Sequence, residues 1–104
     1  MFVIAGNGRG ISCYRRLQKQ QIPFATGILY ENDVDTQVAR ELSDHVVTAP
    51  AFEPMNEKHY EQAAQLLLCC EKVIDAGTPI GYLNQMNGKL LELAKEKNIP
   101  IEKV

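Results

Sequence analysis

The chain has 104 residues, 45% of them hydrophobic, and its 11 Lys plus Arg against 13 Asp plus Glu give a formal net charge of -2. A chain of this length buries roughly 65% of its unfolded surface, enough for one core without staples, and its charge balance leaves no global positive field to hold a nucleic-acid backbone. Cys13, Cys69 and Cys70 are odd in number, which argues against a disulfide framework and for a reducing compartment; no basic leader precedes an apolar stretch, and no run approaches the roughly 20 apolar residues of a membrane span.

Phe2-Val3-Ile4-Ala5 reads as a buried strand that runs straight into the glycine bend Gly6-Asn7-Gly8-Arg9-Gly10. Ile11, Tyr14 and Leu17 then recur at helical spacing opposite Arg15, Arg16, Lys19 and Gln20, and Pro23 ends the helix. Phe24 to Leu29 reads as a second strand, in which Gly27 permits a close backbone approach, with Glu31-Asn32-Asp33 as the turn after it. A short helix follows with Val34, Val38, Ala39 and Leu42 on one face and Asp35 at its start, where a carboxylate suits the helix dipole. His45 to Thr48 makes a third strand, and the loop Ala49-Pro50-Ala51-Phe52-Glu53-Pro54 is irregular because of its two prolines. Asn56 caps a third helix carrying Tyr60, Ala63, Ala64 and Leu67 inward and ending near Cys70. Lys72 to Asp75 is a fourth strand, and the Ala76-Gly77-Thr78-Pro79-Ile80-Gly81 loop leads to a helix that Asn84 opens, with Met86, Leu90, Leu93 and Ala94 inward. Pro100 introduces a terminal edge strand, Ile101 to Val104.

Strand and helix alternating through four cycles predict one α/β domain over residues 1–104, a Rossmann-like three-layer αβα sandwich around a five-stranded parallel sheet. Of the two common orders, 3-2-1-4-5 is favoured, because its switch point brings the Gly6 to Gly10 bend beside the Asp75 to Gly81 bend. Backbone N–H groups at a strand-to-helix glycine bend suit an anion, so a nucleotide or another phosphate-bearing ligand is expected against Gly6, Asn7, Gly8, Arg9, Gly10 and Ser12, with Asp33, Asp75 and Thr78 on neighbouring strand ends. Asp33 lies where a Rossmann protein places its ribose-binding acid, although the third glycine comes one residue early for the dinucleotide fingerprint. The competing reading makes these glycines turn formers, Arg9 a solvated cation and Asp35 a helix cap. No metal-ligand spacing, nucleophile elbow or Ser/His/Asp order is present, and His45, His59 and the Cys69-Cys70 pair read as structural residues.

Four stretches carry a resemblance: V-I-A-G-N-G-R-G at 3–10, G-I-L-Y-E-N-D-V-D-T-Q-V-A at 27–39, A-P-A-F-E-P-M at 49–55 and G-Y-L-N-Q-M-N at 81–87. In their order they resemble the C-terminal accessory domain of ABC transporter ATP-binding proteins of the iron-siderophore, haem and cobalamin uptake type. Gly6, Gly8, Asp33, Asp35, Pro50, Phe52, Asn84 and Asn87 are the motif positions. The resemblance implies a cytoplasmic regulatory or ligand-sensing domain, excised from a longer polypeptide, whose partners are the ATPase domain of that polypeptide and, through it, a membrane permease. It implies no catalysis by this segment. No Walker A lysine motif is present, since Gly88-Lys89 is followed by Leu90, so ATP hydrolysis by that mechanism is excluded here. The alternative is a free-standing nucleotide- or dinucleotide-binding sensor; a small oxidoreductase or transferase is a weaker third reading, and a homodimer through the terminal strand is left open.

Overall fold

Phe2–Ala5 is apolar at every position and becomes β1, buried on both sides: Phe2 and Ile4 join one hydrophobic cluster, Val3 and Ala5 the other. In the computed structural model, which describes residues 1–51 and 56–104, the elements that follow are α1 (Ile11–Lys19), β2 (Ala25–Thr26), β3 (Leu29–Tyr30), α2 (Val34–Leu42), β4 (Thr48–Ala49), α3 (Glu57–Leu68), β5 (Val73–Gly77), α4 (Tyr82–Glu96) and β6 (Ile101–Lys103). The strands form a four-stranded sheet of order β2-β1-β5-β6 and a two-stranded sheet β3-β4, and every pairing is parallel.

The expected single five-stranded sheet is therefore not formed, and the cause lies in the second strand. Phe24 and Leu29 pack on the face covered by α1 and α2, whereas Ala25 and Ile28 both pack on the face covered by α3 and α4. Strand side chains alternate with a period of two, so the pattern has slipped by one residue across Gly27 and Ile28, as at a bulge. Asn87 of α4 fills the break: Ile28 N donates to its Oδ1 and its Nδ2 donates to Ile28 O, both at 3.2 Å. A Cβ on Gly27 would lie 2.8 Å from that same Oδ1, which is why a glycine stands there. Beyond the break, Leu29 N donates to Val47 O at 3.0 Å and Glu31 N to Ala49 O at 2.9 Å, while before it Thr26 N reaches His45 O at 3.0 Å. The expected strand at His45 to Thr48 thus shrinks to Thr48–Ala49, its upstream residues still accepting hydrogen bonds from the broken neighbour.

Each core cluster spans one face of the sheet. Leu67 of α3 and Leu83 and Leu90 of α4 pack on Phe2, Ile4 and Val73; Tyr14 and Leu17 of α1 and Ala39 of α2 pack on Val3, Leu29 and Ile74. Burying side chains of this size contributes about 1.5–3 kcal/mol each. The four ion pairs seen among the described residues have side chains 35–73% exposed, where such pairs contribute about 0–1 kcal/mol, so the two clusters rather than the charges hold the fold.

Helix ends follow the sequence at some points and depart from it at others. Asn56 caps α3 as expected, its Oδ1 accepting from Lys58 N and His59 N while His59 Nδ1 accepts from Asn56 N at 3.2 Å, so His59 is a capping residue. α4 begins at Tyr82 behind Gly81, two residues before Asn84, and Asn87, one turn on, is 1% exposed. Val34, expected inward, is 46% exposed, because the first turn of α2 instead buries Asp35 and Thr36. Cys69 is exposed and Cys70 partly buried, so only Cys13 of the three sits fully in the interior. Phe52, Glu53 and Pro54 of the proline loop lie outside the described residues.

Candidate functional site

The parallel pairing of β1 with β5 brings the two glycine bends to one rim, the carboxyl ends of the strands. There the Arg9 side chain lies against Gly77, whose added Cβ would stand 3.2 Å from Arg9 Cδ, and Pro79 and Leu83 close over Gly6. The backbone donors of the first bend point, as the sequence suggests, at negative charge. That charge comes from the chain itself. Asn7 N donates to Asp33 Oδ2 at 3.0 Å, Gly8 N to Asp35 Oδ1, and Gly10 N to Asp35 Oδ2 at 3.0 Å. Tyr14 Oη adds a longer bond to Asp35 Oδ2 at 3.4 Å.

Asp33 rather than Asp35 is the N-cap of α2, its Oδ1 accepting from Asp35 N at 3.2 Å. Asp35 is fully buried and serves as a plug. Burial raises its carboxyl above the usual carboxylate range, with the neighbouring Asp33 adding to the rise and the N–H groups of Gly10 and Gly8 opposing it. Burial, and next to it the Asp35 charge, hold the Tyr14 phenol protonated far above its ordinary value, as a permanent donor. The Tyr14 ring stacks flat on Phe24, centroids 5.3 Å apart. A Cβ on Gly10 would come within 2.7 Å of Ala5 Cβ, so the bend is pressed onto β1. The open anion cradle read from the glycine bend is thus closed by the chain's own carboxylates, and a phosphate there would meet like charge in the donor positions.

The open space lies beside the plug. A cleft of about 620 Å³ is lined by Asn7 from the first bend, by Tyr30 at the end of β3, by Asn32, Asp33 and Val34 after it, and by residues 79–83. Val34 at 46%, Ile80 at 99% and Tyr82 at 45% exposure put apolar surface around its mouth. Burial, and after it the neighbouring Tyr82, push the Tyr30 phenol above its ordinary range, and both tyrosines line the cleft. Asp75 and Thr78 belong elsewhere: Asp75 Oδ1 accepts from Gly77 N, Thr78 Oγ1 bonds Asn84 Oδ1 at 2.7 Å, and both line a separate cleft of about 280 Å³ with Asn87 and Lys103. Ser12 is exposed on α1. The rim therefore brings Gly6, Asn7, Gly8, Arg9, Gly10 and Asp33 together, leaves Asp75 and Thr78 in a second cleft, and adds Tyr30, Val34 and Tyr82, which their apolar spacing presented only as core candidates or left unmarked.

Burial raises the thiols of Cys13 and Cys70, the opposite of an activated nucleophile, and among the described residues no group of three His, Cys, Asp or Glu side chains is placed to hold a metal ion. No helix among them is long and apolar enough to cross a membrane. Fold and site together define an α/β protein with an acid-plugged glycine bend and an apolar, acid-edged cleft beside it. Residues 24–103 match the MJ0874 family, and the chain belongs to that family. It is similar to the uncharacterized protein MJ0874 of Methanocaldococcus jannaschii, 31% identical over 68 residues that make up 65% of this chain and 73% of that protein. No solved structure matches.

Proposed function

We propose that the chain is a non-catalytic, ligand-responsive module in which a small molecule in the rim cleft sets the position of three loops. The observation that carries this reading is the origin of the cleft walls: the β1–α1 bend, the β3–α2 turn and the β5–α4 loop each contribute, so an occupant bridges the β5–α4 loop to the two segments that Asp33 and Asp35 already hold together. The Rossmann-like three-layer description belongs to the same proposal. A bridged second strand with helices on both faces supports it, since ligands of open α/β sheets bind outside the carboxyl ends of the strands.

For the setting, the four-stretch resemblance supports an accessory domain of an ABC transporter ATP-binding subunit for iron-siderophore, haem or cobalamin uptake. Its partners are then the ATPase domain of the same polypeptide and a permease beyond it, at the inner face of the membrane. That setting rests on the resemblance alone. A free-standing sensor is the second reading, and one observation favours it: the 68 matched residues are 73% of the M. jannaschii relative, so that relative is itself a small protein. An antibody raised to this domain decides between them on lysate of the source organism. A band several times heavier than 11.6 kDa supports the transporter setting, and a band at 11.6 kDa removes it.

A further inference from the structure

The charge of the cleft restricts what can occupy it. Its described lining residues are Asn7, Tyr30, Asn32, Asp33, Val34 and residues 79–83, a set with one carboxylate and no basic side chain. A carboxylate offers about four acceptor positions, and Asp33 spends two of them on Asn7 N and Asp35 N. It therefore retains acceptor capacity at the edge of a cleft that two asparagines share with two tyrosines, valine, proline, isoleucine, glycine and leucine. Asp35, the other carboxylate beside the bend, lies two residues further on and fully buried, so it adds negative field without offering a competing contact. An anionic ligand meets the Asp33 charge with no basic side chain among the described lining to offset it, whereas a cation gains that charge beside the Tyr30 and Tyr82 side chains.

From this we infer that the cleft takes a small organic amine: a protonated ammonium set against Asp33 and the tyrosine rings, with an apolar or aromatic body against Val34, Pro79 and Leu83. The inference deepens the ligand-responsive reading above and rests on it. It also replaces the phosphate class expected from the glycine bend by its electrostatic opposite, for the reason that the donors of the bend are already engaged by Asp33 and Asp35.

Three probes of one skeleton and different charge test it: phenethylamine, 2-phenylethanol and phenylacetate, each titrated into the 15N-labelled chain. The expected result is that phenethylamine shifts the amides of Asn7, Asp33, Val34 and Leu83 and binds about tenfold more tightly than either other probe, as one charge-assisted contact requires. Asp33→Asn, which keeps a side chain suited to the N-cap, and the surface change Tyr82→Ala each weaken that binding while leaving the rest of the spectrum in place. Equal or tighter binding of the alcohol or the acid at these amides overturns the amine class and leaves the cleft as a small-molecule site. No shift at the rim with any probe overturns both the amine class and the ligand-responsive reading. Rim shifts that grow with protein concentration in the absence of probe overturn them too, since a second copy of the chain then fills the cleft.

Discussion

Asp35 shows how one buried side chain changes the meaning of a loop. Its two oxygens replace an external anion at Gly8 and Gly10, so removing them leaves a buried N–H, a half-buried N–H and the Tyr14 hydroxyl without that partner. Each unsatisfied buried donor costs about 1–3 kcal/mol, and Asp35→Ala is expected to lower the unfolding free energy by about 3 kcal/mol in urea titration. A loss below about 1 kcal/mol would mean that water or a shifted loop takes over the bonds. The raised carboxyl also fixes a pH trend. From the ordinary aspartate value near 3.9 up to the raised folded value, the native state holds a proton that the unfolded chain has released, so this group's contribution is complete at the acid end and is lost as pH rises. The stability difference between the wild type and Asp35→Asn is therefore expected to favour the wild type most near pH 4 and to shrink toward pH 7. Glu31 and Glu102, held below the ordinary range by Thr48 with Arg40 and by Lys72 respectively, titrate alike in both proteins and cancel from the comparison. A difference that grows with pH contradicts the assignment of the plug.

At the scale of elements, the break between β2 and β3 and the placing of α4 are one structural decision. The strand breaks where Gly27 and Ile28 turn to the same face, and Asn87 supplies the two hydrogen bonds that the neighbouring strand does not. Asn87→Ala strands a buried N–H and a buried carbonyl at Ile28, and a loss of about 3 kcal/mol is expected by chemical denaturation. Asn56→Ala removes a cap at the solvent-exposed start of α3 and is expected to cost about 1 kcal/mol. The ratio of the two is the informative quantity. If the cap costs as much as the bridge, Asn87 is not carrying the broken strand.

Over the whole molecule, β1 and β5 lie between neighbours in the four-stranded sheet and between helices on both faces, while β3 and β4 are two residues each, pair only with one another as strands, and join the rest through Leu29 and Ala49 in the two clusters and a few backbone bonds across the break. Local opening free energy follows such packing. Amide exchange is expected to be slowest in Val3, Ile4, Val73 and Ile74 and markedly faster in Leu29, Glu31 and the neighbouring β4. Equal protection in both sets, measured by hydrogen exchange, would show that the two sheets open as one unit. The faster set borders the cleft at Tyr30, so a bound ligand is expected to slow exchange there first.

The alternation of apolar runs with helical periodicity was enough to specify an α/β chain with parallel pairing, and the position of the two glycine bends at the same strand ends was legible from their places after β1 and β5. Asn56 and Pro23 marked their helix ends because capping and backbone restriction act within a few residues. The plug, the bridge and the cleft were not legible. Asp35 and Asn87 look in sequence like a cap and a helix-start polar residue, and both act instead on backbone that lies 25 and 59 positions away. A one-dimensional pattern records which residues seek burial; which polar group meets which orphaned donor is set only when the folded chain brings distant backbone within hydrogen-bond reach.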